Sequence, residues 1–243
     1  MIQGAFDTLF LIARPAAGKS EIIDYLRRTP EDERLRLFHI GRFHELDDFP
    51  MLWTWFEEDR ILEKLGHPRL HTDAEENFVH SYLWDLLIER LSLEHAKRRL
   101  EQVQSGAPAE TILVEFARGA EHGGFQRAFQ RFPTDILRRG AILYIEVSWA
   151  ESLRKNRARF NPDRPHSILE HALTDEKLAR LYREMDWERF RGENPSRIDI
   201  QGVHVPYVVF PNEDDVTSDR GTALGARLQE TLARLWALYS VPQ

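Results

Sequence analysis

The sequence contains no cysteine. That excludes disulfides and thiolate-ligated metals and suits a reducing cytoplasm. It contains no apolar run approaching the ~20 residues that a membrane-spanning helix needs. Its first residues, Met1–Asp7, lack the basic-then-apolar order of a secretory signal. It also lacks a surplus of basic charge: the net charge of -7 argues against general nucleic-acid binding and leaves only local basic patches to consider. No His-Glu-x-x-His pair occurs. His67 and His71 are four residues apart, but Pro68 between them spoils a shared helix face for a metal. Gly-x-Ser-x-Gly is missing, and so is the guanine-reading Asn-Lys-x-Asp signature. No internal repeat and no low-complexity tract interrupts the chain. What is present is a chain of 243 residues, 42% hydrophobic and 30% charged, a composition that packs a core. One soluble, cytoplasmic domain over residues 1–243 is expected.

Five short apolar runs read as strands: Thr8–Ala13, Leu35–Ile40, Thr111–Phe116, Ala141–Val147 and Tyr207–Phe210. Helical stretches follow at Ser20–Arg28, Glu151–Arg159 and Thr222–Tyr239. Strands alternating with helices predict an α/β fold with a mainly parallel sheet. The long segment from about 51 to 105 reads as a helical insertion, with helices over Met51–Leu65 and Glu75–Gln104 and a connector at His67–Thr72. In the second helix Phe78, Tyr82, Leu86 and Leu93 repeat near helical period, thickened by Val79, Leu83 and Leu87, and this face is expected to pack on the sheet. Gly106–Pro108 ends the insertion. The charged, proline-bearing stretch 159–197 reads as a lid with a helix near Asp175–Arg189.

The chemistry starts at Ala13-Arg14-Pro15-Ala16-Ala17-Gly18-Lys19-Ser20. This follows the phosphate-loop pattern G-x-x-x-x-G-K-S/T between a strand and a helix. Backbone N–H groups at such a loop wrap phosphates, helped by the helix N-terminus. Lys19 reaches the β/γ oxygens, and the Ser20 hydroxyl holds Mg²⁺ through oxygen. Ala13 stands where the pattern has glycine, which fits only if that backbone keeps φ negative.

On this loop the sequence resembles the P-loop kinases of the nucleoside and nucleotide kinase type, within the P-loop NTPase superfamily. The resemblance implies a five-stranded sheet in the order 2-3-1-4-5, sandwiched by helices, with a lid after the fourth strand, and it implies ATP and Mg²⁺ as cofactors. Leu46-Asp47-Asp48-Phe49-Pro50 is similar to the Asp-Asp-Phe segment of uridine-kinase-like enzymes, which implies that Asp47 or Asp48 takes the acceptor's hydroxyl proton. Glu115 ends the third strand where that family carries an acid near Mg²⁺. Arg118, in Glu115-Phe116-Ala117-Arg118-Gly119, loosely resembles an arginine beside phosphates and acceptor, although two residues separate it from the acid. Arg154, Arg157, Arg159 and Arg164 look like the family's basic lid, whose arginines neutralise the transferring phosphoryl group. Outside the resemblance, Trp53 and Trp55 read as packing residues and His122 as a surface histidine.

The expected activity is that of an ATP- and Mg²⁺-dependent kinase acting on a small hydroxylated acceptor, for which the resemblance suggests a nucleoside. Three rivals remain open: a nucleotide-binding regulator or slow ATPase without an acceptor, a sulfotransferase-like enzyme, and a partner-binding module. Neither a membrane nor a nucleic acid is an expected partner, and these features leave the oligomeric state open.

Overall fold

The computed structural model describes residues 4–159 and 173–241. Strands β1 (Thr8–Ala13), β3 (Thr111–Phe116) and β4 (Gly140–Glu146) carry apolar residues on both faces, and nearly every position in them is buried. Such strands must lie inside a sheet covered on both sides. They do so beside β2 (Phe43–Asp47), β5 (Arg197–Ile200) and β6 (Val203–Pro211), in the order β2-β3-β1-β4-β6-β5. The first five strands of that order are parallel, and only β5 is antiparallel.

The fold is therefore α/β with a mixed, mainly parallel sheet flanked by helices, and among the described residues the sheet has six strands rather than the expected five. The added strand is β5, joined to β6 through Gln201 and Gly202, both at positive φ (55° and 77°). Two consecutive left-handed residues make the tight hairpin turn whose twist matches paired strands. Ile198 and Ile200 face the core from β5.

On one side of the sheet, Leu9, Leu11, Leu113 and Leu143 pack against helices α1 (Lys19–Arg28) and α10 (Thr222–Tyr239) through Ile22, Ile23, Leu26, Leu224, Leu228 and Leu232. The opposite side packs Phe10, Ile112, Val114 and Ile142 against α4 (Tyr82–Ser105), α5 (Gly124–Phe129) and α6 (Thr134–Arg138). Helices α7 (Trp149–Arg159) and α8 (Asp175–Tyr182) meet in a smaller cluster of Leu153, Leu178, Leu181 and Tyr182. Helix α9 (Trp187–Arg191) seats Trp187 on Tyr144, ring centroids 3.8 Å apart.

The expected strand Leu35–Ile40 is instead the end of helix α2 (Glu31–Phe38) and its cap. Pro30 precedes the helix, and Glu31, Asp32 and Glu33 fill its first turn, where the helix dipole favours negative charge. His39 closes it in the left-handed region, φ 55°. The actual second strand, β2, reads Phe-His-Glu-Leu-Asp and buries only Leu46. It is an edge strand, so an apolar criterion passes over it.

In the insertion, α3 (Phe49–Lys64) falls close to its expected place. The second helix starts at Tyr82 rather than Glu75. Asp73 accepts from the Asn77 backbone N–H at 2.8 Å, and Thr72 bridges Phe78, so the chain turns before it coils. The connector is pinned by Asp59, fully buried, which accepts from the backbone N–H groups of Leu70, His71 and Thr72 and from the Thr72 hydroxyl. The face expected to pack on the sheet divides: Leu83 and Leu87 are buried with Ile88 and Leu91, whereas Val79, Tyr82, Leu86 and Leu93 are exposed. In the stretch expected as a lid with one helix, the described residues form α8, α9 and the start of β5. Among the described residues no helix is long and apolar enough to cross a membrane.

Candidate functional site

Parallel strands deliver their C-terminal ends to one edge, and ligands of open α/β sheets bind there. At this edge β1 runs into the loop and α1 leaves it. Ala13 is fully buried and keeps negative φ, so the missing glycine costs nothing at that position. The left-handed residues are Ala16 (φ 57°) and Gly18 (φ 108°). Gly18 is also required by space, because a Cβ there would lie 2.6 Å from Thr217 Oγ1 and 2.9 Å from Asn212 Nδ2.

Side chains from two distant segments hold the loop by its carbonyls. Ser152 on α7 donates to Pro15 O at 2.9 Å, and Asn212, just after β6, donates to Ala17 O at 2.8 Å. Asn212 also reaches Thr217 Oγ1 at 2.8 Å, to which the buried Lys155 donates at 3.1 Å. Gly18 O takes the first helical bond, from Ile22 N. The backbone N–H groups of Ala16, Ala17, Gly18, Lys19 and Ser20 have no acceptor among the described residues. A loop fixed through its carbonyls, with its N–H groups left over at a helix start, is built to receive an anion.

Beside the loop stands a group of acids. Register pairs Asp47 of β2 with Glu115 of β3, and Leu11 of β1 with Glu115 from the other side. Strand alternation puts Glu45 on the same face as Asp47. One carboxylate oxygen from each of Glu45, Asp47 and Glu115 lies within 4.8 Å of the others. Lys19 Nζ sits 3.7 Å from Glu115 Oε1, both side chains almost wholly buried. Burial, then the charges of Glu115 and Asp48, push the Asp47 carboxyl up to about 8. Burial pushes Glu115 up to about 7 against the pull of Lys19. Clustered carboxylates that resist ionising are relieved by a cation, and an all-oxygen donor set in a chain without thiols suits a hard ion such as Mg²⁺. The residues present therefore fit that metal. Ser20 lies exposed on the open side of the loop.

The other expected residues divide into those brought to this edge and those engaged elsewhere. Asp48, directly after β2, is buried and paired with Arg118 at 2.6 Å. Arg118 is 2% exposed, donates to Ala117 O, and lies over the ring of Trp84. Arg14 turns away from the cradle and donates to the carbonyls of Tyr182 and Arg183, at the end of α8. Arg154 pairs with Glu151 and Asp215, and Arg157 with Asp175. Arg159 lies 3.5 Å from Glu21 of α1, beside the loop. Arg164 lies outside the described residues.

Trp53 packs in the core, as expected. His122 corrects the sequence reading: it is buried, stacked on Trp84 with centroids 3.7 Å apart, and burial lowers it to about 3. Ser152, Lys155, Asn212 and Thr217 were not found from sequence. The one available signal was a run of polar residues directly after a strand that ends at the loop's edge.

Next to Asp47 a groove of about 270 Å³ opens between α1, β2, the start of α3 and α4. Arg27, Asp47, Pro50, Met51, Leu91 and Glu94 contribute to its walls.

No protein-family model and no curated protein matches the chain. Among solved structures it is similar in chain path to an unliganded sugar kinase from Janibacter sp. HTCC2649, with 11% sequence identity, a TM-score of 0.42, and coverage of 96% of this chain and 98% of that one.

Proposed function

We propose that the chain is an ATP- and Mg²⁺-dependent phosphotransferase acting on a small hydroxylated acceptor. One observation carries this reading: a carbonyl-clamped loop with free N–H groups, whose Lys19 touches a buried acid that lies opposite a second acid across two paired strands. The loop N–H groups and Lys19 bind the β- and γ-phosphates. Ser20 and Glu115 hold Mg²⁺, which neutralises charge on the transferring group. Arg159 adds positive charge from the α7 side. Arg154 and Arg157 do so only after leaving Asp215 and Asp175.

Of the two candidate bases, Asp47 is the better placed. It lines the groove and stands next to the metal-binding acids, whereas Asp48 is occupied by Arg118. The groove suits a small acceptor, and a nucleoside is one candidate.

The test is an acceptor screen for ADP release over nucleosides, sugars and small alcohols, followed by Asp47→Asn. The expected result is a loss of turnover of about 10²–10⁴-fold with ATP affinity kept. If no acceptor stimulates ADP release and Asp47→Asn leaves basal hydrolysis unchanged, the kinase reading is wrong.

A further inference from the structure

Helix α4 is apolar on two faces. One face is spent on the core. On the other, Tyr82, Leu86, Leu93, Leu100 and Val103 are 57%, 42%, 46%, 56% and 80% exposed. With Glu89 and Ala96 between them, these positions step by four and three residues alternately. That is a seven-residue repeat, sustained over about 30 Å of helix at 1.5 Å per residue. Scattered surface leucines need no explanation, but a 3.5-residue seam on one exposed helix face, apolar at every step except Glu89, is the pattern by which helices pair.

We infer that this face is the interface of a homodimer in which α4 packs antiparallel against α4 of a second copy, with the two-fold axis at Leu93. The face is complementary to itself. A two-fold through Leu93 sets Leu93 against itself and Leu86 against Leu100 of the second copy. The same axis sets Glu89 against Lys97 of the second copy, and both side chains are exposed. It also brings Glu101 over Asp85, where Arg127 and Arg131 already stand at 2.7 and 3.1 Å from the Asp85 carboxylate and supply positive charge. A parallel pairing would set Glu89 on Glu89 and Lys97 on Lys97, which is repulsive twice over. The seam thus selects both its partner and its direction.

The full chain should sediment, at concentrations on the order of 10 μM, with twice the 28.6 kDa monomer mass. Leu93→Glu, at an exposed position, should leave the circular dichroism and Tm in place and weaken the dimer at least about tenfold. Glu89→Lys alone and Lys97→Glu alone should each weaken it, and the double exchange should restore it.

Direction is read by single cysteines, which the cysteine-free chain makes unambiguous. Leu93→Cys should cross-link to a covalent dimer with a short bismaleimide. Val103→Cys should not, because the antiparallel arrangement holds the two copies of that position about 30 Å apart along the helix. A monomeric wild type, a dimer indifferent to Leu93→Glu, failure of the double exchange to rescue, or cross-linking at both cysteines would each overturn the proposal.

Discussion

On the proposed function, Lys19→Ala would remove one charge-assisted contact to phosphate while leaving the clamp on Pro15 O and Ala17 O in place. The expected result is a fold unchanged by circular dichroism and ATP affinity at least about tenfold weaker, measured by titrating a fluorescent analogue. The neighbouring aspartates should part company in the same assays. Asp48→Asn strips a buried arginine of its carboxylate, and breaking a buried pair typically costs about 3–5 kcal/mol, so Tm should fall sharply. Asp47→Asn removes a crowded carboxyl and should not lower Tm. Equal melting behaviour of the two variants would contradict the roles assigned here. The loop was legible because all its residues are contiguous and in pattern order. Asn212, Thr217, Ser152 and Lys155 were not, because only the folded sheet brings them to Ala17 and Pro15 from well over a hundred positions away.

Among the elements, those with apolar residues on both faces, β1, β3 and β4, were readable as strands. The polar edge strand β2 is not, and the apolar end of α2 stands in its place in the sequence pattern, because an apolar run alone does not tell a buried strand from the last turn of a helix. In α4 the helical period is legible, but of the expected face only Leu83 and Leu87 meet the core, since a helix with two apolar faces gives no sequence cue as to which one the sheet receives.

Helix α8 offers an element-scale test of the loop's surroundings. Its C-terminal carbonyls, at Tyr182 and Arg183, are held by Arg14, and positive charge is favourable at that helix end. Arg14→Ala should raise amide exchange in residues 175–182 by about tenfold or more while α10 keeps its protection. Unchanged exchange in α8 would show that the contact holds nothing.

For the whole molecule, two pairs of buried groups act on stability in opposite directions, and their net effect is a loss above about pH 6.5. His95 and His122 are lowered to about 4 and about 3, chiefly by burial. The unfolded chain binds protons at these sites below about 6.5 and the folded one does not, so stability is lost as pH falls through that value. Asp47 and Glu115, raised to about 8 and about 7, do the opposite. They keep protons in the fold that the unfolded chain releases above about pH 4, so their contribution declines from there until pH has passed 7 to 8, and only below about 6.5 do the histidines offset the decline. Melting without divalent cations should show Tm declining between about pH 6.5 and 8.5. The decline should flatten in Asp47→Asn and reverse on adding Mg²⁺. A wild-type profile that is flat over this range would refute the crowding of those acids.

The clamp on the loop also has a consequence for the order in which the chain becomes competent. Ala17 leaves the ribosome well before Asn212, whose amide fixes its carbonyl from 195 residues later. Contacts of such separation form late, after the intervening loop has been closed. A nascent chain that has not yet made β6 displays Gly-Lys-Ser without a shaped cradle. On the proposed function, nucleotide capture would be withheld until β6 docks, and ATP binding by ribosome-tethered chains would report that docking rather than the making of the loop.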